Sequence, residues 1–339
     1  MKKISLALQG GGSHGAFTWG VLDYLLSKKD VEFCSISGTS AGAMNAVVLA
    51  QGLQSGGKEG ARKALKAFWE DISSSAESSP IKTGLIERSM GSWNVDFTPG
   101  FVFFDLMSRV MSPYQINPLG YNPLEEVIKK HVDFNKVNKC NKVKLFIAAT
   151  NVKTGRVKIF EREQLTLDKL LASACIPTMF HAVEVDGEYF WDGGFSGNPP
   201  LFPFFGSDTC SDVVVVQINP QVKHDVPKTS SEINNRINEI TFNQSLLKEF
   251  KFIDFVDRII EEIPEAKSKY KKLNLHSISD DVNLPRLGAS SKLNAESDFI
   301  KYLFGLGRKA AQKWDLENFE QVGKNSTIDL NSMFIGTTI

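Results

Sequence analysis

Cysteine is scarce in this chain. Cys34, Cys140, Cys175 and Cys210 are scattered over 339 positions with no C-x-x-C pair. That argues against a disulfide framework and a zinc ribbon, and the expectation is buried thiols in a reducing compartment. An excess of charge is missing too, since 39 Lys and Arg balance 39 Asp and Glu. Nothing in that balance favours broad attraction to nucleic acid, although a local basic patch facing an anionic membrane is compatible with it. No apolar run approaches the ~18 residues of a membrane span. Met1-Lys2-Lys3 leads into Ile4-Ser5-Leu6-Ala7-Leu8, but the apolar part stops at Gln9 and Gly10. It falls short of the ~7–15 residues of an export signal, so the stretch reads as a first strand. The expected location is cytoplasmic, or exported without a cleaved signal peptide, with peripheral membrane contact compatible. The five histidines lack metal-ligand spacing. Without internal repeats or a low-complexity linker, one domain over residues 1–339 is expected, with ordinary globular composition and a large core.

Glycine marks the informative places. Gly38-Thr39-Ser40-Ala41-Gly42 is a G-x-S-x-G pentapeptide, preceded by a short apolar run and followed by the helix-competent stretch Ala41 to Ala50. Strand, sharp turn and helix form the context in which this pattern exposes a nucleophile. Ser40 then sits at a helix N-terminus, where free N–H groups and the dipole favour developing negative charge. The pentapeptide alone also suits a structural turn. Upstream, Gly10-Gly11-Gly12-Ser13-His14-Gly15 lies between the first strand and a helix over Ala16 to Leu26. Backbone N–H groups of such a loop converge on an anion. A dinucleotide fingerprint is the rival reading, but the second strand runs directly into the Ser40 turn rather than to a well-placed acidic residue.

Elsewhere the pattern alternates strand and helix. Strands are expected at 33–37, 143–150 and 212–218, hairpins at 157–160 and around Asp186-Gly187, and helices at 57–72, 123–131 and 167–175. Ser73 to Pro80 reads as a loop. This is a three-layer α/β/α arrangement with a mainly parallel central sheet, a nucleophile elbow and additional C-terminal helices. Its catalytic core spans about 4–220. A helical C-terminal part follows at about 230–320, with Ile233, Ile237, Ile240, Leu247, Phe250 and Ile253 at helical spacing and a last helix near Ala295 to Trp314. These helices either pack the same domain or line the entrance to its site. Between them, about 81–122 forms an aromatic, irregular insertion containing Trp93, Phe97, Phe103, Phe104, Leu106 and Tyr114. It reads either as a satellite packing cluster or as a cap that meets lipid.

Trp191-Asp192-Gly193-Gly194 closes a hairpin. Alone it is a plain turn. Together with the glycine loop and the serine turn, in this order, it resembles the patatin-like phospholipases. The Ser173-Ala174-x-x-Pro177 stretch, Phe180 and Asn198-Pro199 extend the likeness, which covers about 4 to 220. The resemblance implies a lipid acyl hydrolase of the phospholipase A type, acting through a Ser-Asp dyad without catalytic histidine, metal or other cofactor. It implies Ser40 as nucleophile and Asp192 as general base and acid. The oxyanion hole would be formed by N–H groups of Gly10, Gly11, Gly12 and Ala41, with Gly15, Gly38, Gly42, Gly193 and Gly194 supporting the motifs.

Two positions depart from the family pattern. Gln9 replaces a small or acidic residue. His14 replaces a frequent Lys or Arg and reads as an exposed neutral side chain or as a source of pH sensitivity. A conventional triad would need His224 or His276, both in polar, loop-like surroundings. His131 suits a helix C-terminus, and His181, near the catalytic segment, reads as a packing residue or as one that touches substrate. The implied partner is a lipid or membrane-surface substrate and not nucleic acid. An effector gated until a protein partner engages it, and an acyltransferase or small-ester esterase on the same dyad, are the alternatives.

Overall fold

The computed structural model describes residues 1–79, 81–84, 92–206, 209–221, 226–263, 265–266 and 269–330. Strands β1 (Lys2–Leu8), β2 (Val31–Thr39), β3 (Lys144–Asn151), β4 (Val157–Glu161), β5 (Val183–Val185), β6 (Glu188–Asp192), β7 (Asp212–Val216) and β8 (Asn274–Ile278) form one sheet. Its neighbours run β5-β6-β3-β2-β1-β7-β8, with β4 also on β3. The pairs β1–β2, β1–β7, β2–β3 and β7–β8 are parallel, whereas β3–β4, β3–β6 and β5–β6 are antiparallel.

The side-chain alternation of a strand divides two cores between the two faces. Leu6, Leu8, Val214 and Val216 enter one, and Ala7, Val213 and Val215 the other. The first core lies under α1 (Gly15–Ser27), α2 (Ala41–Ser75) and the helix Ser297–Asn318. Leu246, Phe250 and Ile253 of the helix Ser230–Glu262 cover the second. Helix α2 bends where Gly56 and Gly57 leave helical φ and ψ, matching the two helical stretches expected there. It continues to Ser75 and a 3₁₀ turn extends to Ser78, so the stretch from Ser73 is not the simple loop expected; Pro80 lies outside the described residues.

Short helices complete the chain: α3 (Pro99–Val110), α4 (Pro113–Ile116), α5 (Pro123–His131), α6 (Phe134–Asn138) and α7 (Leu167–Ser173). The long C-terminal helices are α8 (Ser230–Glu262) and α9 (Ser297–Asn318). Helix α3 buries none of its residues, and Phe97, Phe103 and Leu106 are 86%, 67% and 59% exposed. This part of the aromatic insertion is therefore a surface and not a satellite core; its residues 85–91 lie outside the described set. The first turns of α8 likewise expose Ile233, Ile237 and Ile240, which had read as packing residues.

Three further expectations change. Strand β8 lies within the C-terminal part expected to be helical. Its single short run, Asn274–Ile278, carries too little pattern to announce a strand, and β7 recruits it by pairing. His276 consequently is not in a loop. It is fully buried on β8, with Nε2 3.1 Å from Asp212 Oδ1 and Nδ1 3.0 Å from Thr327 Oγ1. His224 lies outside the described residues. The cysteines are not four free thiols, because Cys34 and Cys210 form a disulfide with Cα atoms 5.9 Å apart. A separation of 176 residues leaves no spacing signal for that pair. Cys140 and Cys175 are free and buried, as expected.

Candidate active site

The site forms where the parallel strands end. β1 delivers the glycine loop and β2 delivers Ser40. Register then brings in the third segment. Strand β3 pairs with β4 along 146–150, so β2 and β6 must share its other edge. On that edge Thr39 pairs with Ala148, and Asp192 takes the next position, opposite Ala149.

Ser40 carries φ 54° and ψ −122°, a left-handed conformation that a side chain rarely adopts. Strain of this kind persists only where neighbours over-determine it. Here the Ser40 N–H donates to Ser173 Oγ at 3.0 Å, and its carbonyl accepts from Met44 N–H at 3.1 Å. The turn also needs bare backbone around it. A Cβ on Gly42 would overlap the carbonyl oxygen of Leu8, and one on Gly38 would come within 2.8 Å of the Gly42 oxygen. Gly15 packs on Ala41 in the same way.

Asp192 is 1% exposed and Ser40 is 6% exposed. Asp192 Oδ1 accepts from the Gly194 N–H at 2.7 Å, while Oδ2 is buried with no hydrogen-bond partner among the described residues. Burial pushes this carboxyl up to about 6. The Gly194 N–H, the Ser40 hydroxyl and the Lys292 ammonium oppose that shift by favouring the charged form. The hydroxyl is thus near enough to act on the carboxylate, although no bond to Oδ2 is closed. Gly193 and Gly194 leave room for the turn: a Cβ on the first would overlap the Ala148 oxygen, and one on the second the ring of Phe242.

The glycine loop approaches Ser40 closely, since a Gly10 Cβ would stand 2.7 Å from that of Ser40. Its N–H groups are not equivalent. That of Gly10 donates to Asn198 Oδ1 at 2.7 Å, so the assignment of Gly10 as an oxyanion donor does not fit this geometry. Among the described residues the N–H groups of Gly11 and Gly12 have no intramolecular acceptor. Ala41 opens α2, where a helix leaves its first N–H groups unpaired.

Several residues that hold this site gave little sequence signal. Gln9, the departure from the family pattern, is buried; its Oε1 accepts from the N–H groups of Ile218 and Asn219 at 2.9 and 3.0 Å. Asn219 Nδ2 donates to the Gly10 carbonyl at 2.8 Å. His14 is buried rather than exposed. Its Nε2 lies 2.8 Å from Ser291 Oγ, and that hydroxyl donates to the Gly288 carbonyl. The hydroxyl therefore accepts from His14, which fixes the Nε2–H tautomer, and Nδ1 has no hydrogen-bond partner. Burial pulls the imidazole down to about 3, Lys292 adds to the effect, and the Ile218 backbone opposes it. His181 packs as expected, stacked on Tyr114 with ring centroids 4.1 Å apart.

A cavity of about 560 Å³ runs beside the site, lined by Phe195, Ser196, Phe202, Ser245 and Phe252 among others, but includes neither Ser40 nor Asp192. Among the described residues no helix is long and apolar enough to cross a membrane.

A family model described as Patatin-like phospholipase matches residues 6–205. No curated protein matches the chain. Among solved structures, that of VipD from Legionella pneumophila has a TM-score of 0.40 at 14% identity, covering 92% of this chain and 67% of that one. The heterodimeric ExoU-SpcU complex from the type III secretion system of Pseudomonas aeruginosa gives a TM-score of 0.33 at 15% identity, covering 79% of this chain and 59% of that one. The chain thus spans about two thirds of the first of these proteins and less of the second.

Proposed function

The chain belongs to the patatin-like phospholipase family, and from that premise we propose that it is a serine acyl hydrolase working through a Ser40–Asp192 dyad on fatty-acyl esters of glycerophospholipids or lysophospholipids. The observation that carries this reading is the juxtaposition of a strained serine at a helix start with a buried carboxylate whose Oδ2 has no partner. In the first half-reaction Ser40 Oγ attacks the ester carbonyl while Asp192 accepts its proton. The oxyanion takes hydrogen bonds from the N–H groups of Gly11, Gly12 and Ala41; such preorganised donors are typically worth ~3–4 kcal/mol each. Collapse breaks the ester C–O bond, and the proton on Asp192 passes to the leaving alcohol. The acyl-Ser40 ester then reacts with water, whose proton Asp192 takes, and a second collapse breaks the acyl–Oγ bond, releasing fatty acid as Asp192 returns the proton to Ser40 Oγ. A carboxyl poised near 6 is largely ionised at neutral pH yet more basic than one in water, which suits both roles.

A gated version of this enzyme is favoured by one specific feature. Ser40 and Asp192 are almost inaccessible, while the insertion presents apolar side chains outward. Contact of α3 with a lipid surface, or with an activating protein, would supply both the driving force and the trigger for opening. Peripheral membrane contact then needs no spanning helix.

Wild type, Ser40→Ala and Asp192→Asn should be incubated with mixed-chain phosphatidylcholine vesicles and with lysophosphatidylcholine, and the fatty acids identified by mass spectrometry. Release by wild type alone supports the dyad and reports positional preference. Equal release by all three overturns it. No release by any, with a fluorophosphonate still labelling Ser40 in wild type, supports gating.

A further inference from the structure

We propose that Lys292, brought from a turn 100 residues after Asp192 onto the glycine loop, is a positioning residue that keeps the Asp192 carboxylate charged and therefore able to accept the Ser40 proton. This rests on the dyad reading above. The geometry is a clamp formed by the 3₁₀ turn Ala289–Leu293. Ser291 holds His14, and the Lys292 carbonyl lies against Gly12, where any Cβ would overlap it. The Lys292 ammonium donates to Asn219 Oδ1 at 2.6 Å, and Asn219 in turn holds the Gly10 carbonyl. The same ammonium stands 5.7 Å from the centroid of the Phe242 ring, which abuts Gly194, the residue whose N–H bonds Asp192. One side chain therefore touches the supports of both halves of the site.

Lys292 follows the Gly194 N–H and the Ser40 hydroxyl among the groups that favour the charged carboxylate, and it alone of the three carries a full positive charge. From the start of α2, Asp192 meets the Ser40 hydroxyl; from its own turn, the Gly194 N–H. After α7 stands the Cys175 thiol, which burial pushes up to about 12 with Asp192 adding to the shift, so it is neutral. On the glycine loop His14 is also neutral. On α8, Arg236 and Glu239 pair with each other at 3.2 Å. Among the described residues Lys292 is the cation that acts on Asp192, and in a site shielded from water that attraction is screened little. It offsets part of the burial that raises the carboxyl.

The test is the pH profile of kcat/KM on a soluble short-chain ester, from about pH 4.5 to 9, for wild type, Lys292→Met, Lys292→Gln and Lys292→Arg. Fluorophosphonate labelling of Ser40 on the alkaline plateau reports an intact fold. The wild-type acid limb should fall near 6. Removing the cation should move that limb to higher pH in Met and Gln, each unit of displacement costing about tenfold in rate below it, while Arg keeps it in place. An unmoved limb, an equal displacement in Arg, or failure of both Met and Gln to label on the plateau each overturns the inference in favour of a packing role. If Ser40→Ala and Asp192→Asn hydrolyse the ester at wild-type rate, the dyad reading falls instead, and that result is independent of the lysine variants.

Discussion

Thr39 and Asp192 pair with consecutive residues of one strand, Ala148 and Ala149. β2 ends where β6 begins along that edge of β3, so the residue after Thr39 and the last residue of β6 face the same point. The distance between nucleophile and base is thus fixed by backbone hydrogen bonds, with side-chain rotamers adjusting only the remainder.

Gly193 is the tightest part of that junction. A Cβ there would overlap the Ala148 carbonyl and come within 3.0 Å of Thr39 Cγ2, both on rigid strands. Gly193→Ala is expected to shift Asp192 away from Ser40. Overpacking of this kind typically costs about 1–3 kcal/mol, measurable by urea unfolding. The activity loss should be larger than the stability loss implies, because a displacement of ~1 Å can cost 10²-fold in rate. Wild-type kcat in a destabilised Gly193→Ala protein would show that the register does not set the dyad.

Asp192 itself should be a stability cost. Its carboxyl is raised in the folded state above the ordinary 3.8, so the native protein binds more protons than the unfolded chain between about 4 and 6. Stability therefore falls as pH rises through that window, and the penalty is complete above it. Asp192→Asn should be inactive yet more stable than wild type at pH 8, by on the order of 2–3 kcal/mol, with the advantage vanishing near pH 4. Parallel denaturant titrations at the two pH values check this; an advantage independent of pH would mean that burial does not raise the carboxyl.

How much of this is legible in the sequence differs by element. The buried strands β1, β3 and β7 and the helices beside them announce themselves by apolar run and period. So do the three glycine motifs, because their glycines avoid specific collisions, with backbone at Gly12, Gly38, Gly42 and Gly193 and with side chains at Gly15 and Gly194. The supporting shell does not. Gln9, Asn198, Asn219 and Lys292 act through contacts more than 70 residues apart in sequence, and polar residues of that kind look the same in a loop as in a site. The exposure of α3 was undecidable for a related reason. Its aromatic composition fits a core and a surface equally, and only the absence of a partner over it among the described residues separates the two.

His14 gives a prediction of opposite sign to that for Asp192. The imidazole is lowered from 6.5 to about 3. Between those values the unfolded chain takes up a proton that the native protein refuses, so stability is lost as pH falls through the window. At pH 5 this loss should be about 2 kcal/mol relative to pH 7.5. His14→Gln keeps a donor for Ser291 and removes the titration, so its stability should change less over that range. Equal acid sensitivity in both proteins would place the proton uptake on other groups.

The exposed face of α3 tests whether lipid contact belongs to catalysis. Phe103 and Leu106 lie on one side of a helix that buries nothing, and neither contributes to a core cluster. Replacing both with serine should leave stability within about 0.5 kcal/mol, because no packed contact is lost. Their transfer into an acyl-chain region, in contrast, would be worth roughly 1.5–3 kcal/mol each, so the double variant should bind vesicles at least tenfold more weakly. Hydrolysis of a soluble short-chain ester should remain at the wild-type rate while release of fatty acid from vesicles falls with binding. That split assigns α3 to the interface and leaves the chemistry at Ser40. A parallel fall on both substrates would instead make α3 part of the site's own architecture. Unchanged binding and release would mean that the lipid reaches Ser40 by another face, for which the exposed isoleucines at the start of α8 are the next surface to vary.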